Sequence, residues 1–132
     1  MTTEEIGDDP AILAAMAAKG SNLHQLCPPP TSATTLGRLA TLAAVGVQIR
    51  TLQAPYVHAK TLITPSQAFL GSQNLSAVSL QDNREMGILV NGPTRTALAN
   101  SDLAARLKIG AQLNPAIRRH STGAMPMSHR FP

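Results

Sequence analysis

The chain's 132 residues amount to one domain, and with two Phe, one Tyr and no Trp its core must be built from Ala, Leu, Ile, Val and Met. A single cysteine, Cys27, excludes an intrachain disulfide and a cysteine-based zinc site, and no apolar run approaches the roughly 20 residues that span a bilayer. Four of the seven acids (Glu4, Glu5, Asp8, Asp9) precede the first basic residue, so residues 10–132 set eleven Lys and Arg against Asp82, Glu85 and Asp102. That surplus favours an anionic partner, a lipid headgroup or nucleic acid. The acidic start, with no basic region followed by an apolar core, argues against a secretory signal, so a soluble, cytoplasmic or membrane-peripheral location is expected over a secreted one.

In chain order, Asp9 caps a first helix with Pro10 at its first position, and Ile12, Leu13 and Met16 form its apolar stripe up to Gly20. Residues 22–27 read as a short strand, stopped by Pro28-Pro29-Pro30. Thr31 or Ser32 caps a second helix to about Val45, with Leu36, Leu39, Ala40 and Ala43 inward and Gly46 in the C′ position. Strands follow over residues 47–52, 56–64 and, after a Thr-Pro-Ser turn, 67–70. Residues 74–80 make a helical turn, 85–90 a strand ended by Asn91-Gly92-Pro93, and 94–109 a last helix. This alternation predicts a mixed-sheet α/β sandwich with parallel strands and right-handed crossovers. From 110 to 132 neither period is present, and a disordered basic tail is expected.

Chemistry concentrates between Tyr56 and Val90. His58-x-Lys60 sits in an apolar run, followed by Gly71-Ser72-Gln73-Asn74 and Asn83-Arg84-Glu85. On a strand, side chains two apart share a face, so an imidazole and an ammonium converge there. An imidazole can attack phosphorus, a lysine can neutralise a non-bridging oxygen, and Ser and Asn on a glycine turn can donate to the same anion. A lone histidine on an apolar strand is usually a core residue, which is how His24 is read; His58 differs in having Lys60 and the glycine turn as companions. Gly71-Ser72-Gln73-Asn74 lacks the length and the lysine of a P-loop, and the remaining acids and histidines lack ligand spacing, so no nucleotide, metal or other cofactor is expected.

These residues resemble the HKD signature of the phospholipase D superfamily: His-x-Lys, four residues, Asp, six residues, then Gly-Ser-x-Asn. The resemblance covers residues 3–109, one half-domain of that family. His58, Lys60, Gly71, Ser72, Asn74 and Glu85 match its phosphate-site positions, while the Asp position falls on Thr64 or Pro65 and the spacer to Gly71 is one residue short. The resemblance implies hydrolysis of a phospholipid phosphodiester. His58 would form a phosphohistidine, and Lys60, Ser72 and Asn74 would hold phosphate oxygens. Glu85 would accept a hydrogen bond from the far nitrogen of His58, and a second histidine would protonate the leaving alcohol. A second HKD half is then required, in cis if the chain is part of a two-motif enzyme or in trans in a homodimer. The alternatives are a homodimeric endonuclease-like phosphodiesterase acting on nucleic acid, and a catalytically silent module that binds anions or a partner protein.

Overall fold

The computed structural model describes residues 1–113. The Asp9 carboxylate accepts the Ile12 N–H at 3.0 Å and starts α1 (Pro10–Lys19), with Pro10 where a missing N–H breaks no helical bond. A single turn leads into β1 (His24–Cys27), and three prolines separate it from α2 (Ala33–Ala44), capped by Ser32 through the Thr35 N–H. Gly46, at φ 98°, reverses the chain into β2 (Gln48–Thr51). There follow β3 (Lys60–Ile63), β4 (Gln67–Gly71), α3 (Ala77–Gln81), β5 (Gly87–Asn91), α4 (Pro93–Ile109) and β6 (Ala111–Gln112). No helix among the described residues is long and apolar enough to cross a membrane.

The strands form two three-stranded sets, β1-β2-β6 and β3-β4-β5. Residues 1–3 join them. On one side the Thr3 N–H bonds to Leu26 O and the Leu26 N–H to Met1 O; on the other, Thr2 and Thr61 exchange both backbone bonds, at 2.8 and 2.9 Å. The result is one continuous mixed sheet. Alternation along the strands sends Cys27 and Ile49 to one face, under Ile12, Leu13 and Met16 of α1 and Leu36, Leu39 and Leu42 of α2. Leu26, Leu52 and Ile63 go to the other, under Leu103 and Leu107 of α4. Helices on both faces make the expected α/β sandwich.

Several expectations are corrected. Parallel pairing joins β1 to β2 and residue 2 to β1, whereas β3, β4 and β5 are antiparallel; the three-residue turn from β3 to β4 is too short for a crossover. Strand β3 starts at Lys60, not Tyr56, since residues 53–56 turn. Leu42, left out of the expected inward set of α2, is buried in the core. The ordered fold also runs past residue 109: β6 pairs with β2, and Leu113 is buried with its N–H bonded to Ile49 O. The rest of the expected tail, residues 114–132, lies outside the described residues.

Candidate active site

The segment between β4 and β5 carries the Gly-Ser-x-Asn turn, α3 and Glu85, and packing explains its glycine. A Cβ at Gly71 would collide with the Phe69 ring and the Gln73 side chain, and its cross-strand partner Gly87 is crowded by the same ring. From there Ser72 reaches across, donating its hydroxyl to Glu85 Oε2 and accepting the Met86 N–H at 3.1 Å. Ser79, buried on α3, donates to Glu85 Oε1 and accepts the Asn74 N–H at 2.9 Å. Asn83 Nδ2 adds a third donor to Glu85 at 3.4 Å. These hydroxyls, Ser72 first, hold the Glu85 carboxyl below the usual carboxylate range.

His58 lies in the loop just before β3 and Lys60 begins the strand, so the expected strand face does not bring them together. A carboxylate does. Glu4 Oε2 accepts from Lys60 Nζ at 2.6 Å and lies 3.2 Å from His58 Nε2; Lys60 also donates to His58 O at 2.9 Å, and the Tyr56 hydroxyl donates to Glu4 Oε1 at 3.1 Å. The Lys60 hydrogen bond holds Glu4 below the ordinary carboxylate range, and Glu4 in turn pushes the Tyr56 hydroxyl up. The His58 side chain is 75% exposed and that of Lys60 only 7%. The acid expected at His58 was Glu85; the structure puts Glu4 there, while Glu85 takes serines.

Glu4 reaches this position because residues 1–3 run beside β3, and the next turn of chain is pinned by Gly7, whose N–H bonds to Leu75 O at 2.8 Å. A Cβ on Gly7 would strike Ser76. Glu4, Tyr56 and Ser79 are the three residues that the sequence reading missed. Only Tyr56 carries a signal, adjacency to His58; Glu4 read as part of an acidic start.

Thr64 is one of the two positions on which the signature's Asp falls. Its Oγ1 accepts the Gln67 N–H and donates to Gln67 O, both at 3.0 Å, closing the β3–β4 turn with a hydroxyl.

Two hollows adjoin these residues. A polar cleft of about 440 Å³ is walled by Glu4, Tyr56, Asn74 and the Pro28–Pro30 loop with Ser32 and Thr35. Asn74 Oδ1 is buried there with no hydrogen-bond partner among the described residues. Cys27 also lines this cleft, but burial pushes its thiol up to about 12, which removes it as a nucleophile. An apolar cavity of about 310 Å³, lined by Ile12, Met16, Leu23, Phe69, Leu75 and Leu80, has the stem of Lys60 in its wall. His24, the other histidine among the described residues, begins β1 in the other half of the sheet. Among the described residues, no cluster of three or more His, Cys, Asp and Glu is placed to hold a metal ion.

Residues 4–107 match the family model described as cardiolipin synthase, PLD-like domain. Among solved structures, the chain is similar to Nuc from Salmonella typhimurium, a phospholipase D family member, with a TM-score of 0.77 at 20% identity, over 86% of this chain and 80% of that one. No curated protein matches the chain.

Proposed function

The chain belongs to the PLD-like domain family, and from that premise we propose that it is one half of a phospholipase D-type phosphodiesterase acting on a phospholipid through a phosphohistidine on His58. The observation that carries the reading is the meeting of His58 and Lys60 on a single carboxylate oxygen, which marks a place where an imidazole and an ammonium serve one anionic oxygen together. A ring nitrogen of His58 attacks phosphorus, the P–O bond to the alcohol breaks, and a second histidine protonates the leaving oxygen. That histidine then deprotonates a water, whose oxygen displaces His58 and releases the phosphomonoester. Lys60, Ser72 and Asn74 hold phosphate oxygens as their charge changes. Glu85 serves by fixing Ser72 and, through Ser79, Asn74.

The second histidine comes from another HKD half, in a further segment or a second subunit. The apolar cavity beside Lys60 favours a lipid, since an acyl chain can lie against the lysine's stem while its head meets phosphate. The alternative, a homodimeric endonuclease-like enzyme, draws on the likeness to the Nuc fold, which this chain and that one share over most of their lengths.

The test is hydrolysis of a chromogenic phosphodiester, with chelator present, over a dilution series. Specific activity should rise with concentration for a dimer, or appear only when an upstream first-motif segment is added. A monomer that is fully active at every dilution would overturn the half-site reading; a chain silent in both settings would leave an anion-binding module.

A further inference from the structure

We propose that Glu4 is the resident anion of the phosphate site, a stand-in that a diester displaces and that keeps free inorganic phosphate out. This rests on reading His58 as the nucleophile and Lys60 as a phosphate ligand. Glu4 Oε2 lies 2.6 Å from Lys60 Nζ and 3.2 Å from His58 Nε2. A phosphate with one non-bridging oxygen on Lys60 Nζ and its phosphorus facing His58 would fill the space the carboxylate holds, so carboxylate and phosphate exclude each other. The second oxygen, Oε1, is held by Tyr56, so the carboxylate is received as a small oxyanion would be.

The need for a stand-in follows from Lys60. Its side chain is 7% exposed, and an ammonium so enclosed is costly without a counter-charge. Before substrate arrives, Glu4 supplies that charge. Glu4 can also leave. Its side chain is 25% exposed and turns about its own single bonds, while the backbone bonds of Thr2 and Thr3 that fix this part of the chain stay in place. A diester brings contacts on both sides of phosphorus that offset the loss of the Glu4 bonds. Inorganic phosphate has only its charge, which meets Lys60 already neutralised. Glu4 is thereby a specificity-determining residue that sets esters above the free anion.

The test titrates inorganic phosphate into the full chain at pH 6.5, as wild type and as Glu4→Gln, following the His58 ring resonances and the heat of binding. Removing a charge within about 4 Å of the site should tighten phosphate binding at least about tenfold, and adding Lys60→Met to Glu4→Gln should abolish it. Equal or weaker binding by a Glu4→Gln protein whose circular dichroism is unchanged overturns the proposal. Should Glu4→Gln fail to fold, Glu4→Asp keeps the charge with a shorter reach; a smaller tightening supports the idea, and none defeats it. Turnover is not needed for this readout. A catalytically silent chain that tightens on Glu4→Gln keeps the inference and loses the enzyme; an active one that does not tighten does the reverse.

Discussion

Ser79 donates its hydroxyl to Glu85 Oε1 while taking the Asn74 N–H at 2.9 Å, so one buried serine ties the Gly-Ser-x-Asn turn to the acid that follows it. Glu85 is thus the hub of a loop, with Ser72 on its other oxygen.

Removing the charge from that hub should loosen both hydroxyl bonds without emptying the space. Glu85→Gln is expected to lower kcat by roughly a hundredfold with little change in KM, as positioning losses do. Ser79→Ala, which strips the Asn74 N–H of its partner, should lower stability by about 1–3 kcal/mol in urea unfolding. An unchanged rate in Glu85→Gln would show that the Glu85 charge plays no part in positioning the site.

His58 offers the opposite profile. With its side chain 75% exposed, His58→Ala should leave the unfolding free energy within about 0.5 kcal/mol of wild type while turnover vanishes. Quenching without acid should trap a phosphorylated enzyme in wild type and none in the variant. Retained turnover would mean that another group attacks phosphorus.

The turn at Thr64 tests what the signature's Asp is for. Thr64→Ala removes two hydrogen bonds to Gln67 and should cost about 0.5–1.5 kcal/mol of stability. Thr64→Asp keeps an acceptor for the Gln67 N–H and should restore most of the loss. If Thr64→Asp is as unstable as Thr64→Ala, the turn is held by something else.

Acid stability should report on Glu4. Its pKa is lowered in the fold, so its charged form is favoured there; the stabilisation is full above the ordinary carboxylate pKa of about 4 and is lost as pH falls through the lower folded value. Wild type should therefore lose more stability than Glu4→Gln between neutral pH and the acid side of that range. Parallel pH curves would show that the ion pair adds nothing to the fold.

Much of the architecture was legible because it is written locally. The Asp9 and Ser32 caps, Pro10 at a helix start, Gly46 past a helix end and the Pro28–Pro30 block each act within a few residues, and the helices fall where those signals put them. The motif residues were legible as a set, since glycine, hydroxyl, amide and acid recur at short spacings. What the sequence hides is long-range. Glu4 meets Lys60 only because residues 1–3 lie beside β3, 56 positions downstream of the acid. Glu85 was expected beside the imidazole for the same reason: spacing indicates that an acid is near, not which of two acids the imidazole faces. Leu113 was lost to a composition argument, because a two-residue strand has no period to detect.

Residues 1–3 have a consequence for how the molecule forms. Their two neighbours, Leu26 and Thr61, lie 24 and 59 positions further along the chain from Thr2. The β3-β4-β5 meander needs only near contacts and can form without them, whereas seating residues 1–3 closes two long loops at once. Joining of the half-sheets should then be the slow event, and the Thr2 and Thr61 amides, which lie on the seam, should gain exchange protection last. Glu4 follows directly on that segment, so during refolding the pairing of His58 and Lys60 across one oxygen should appear only when the seam closes.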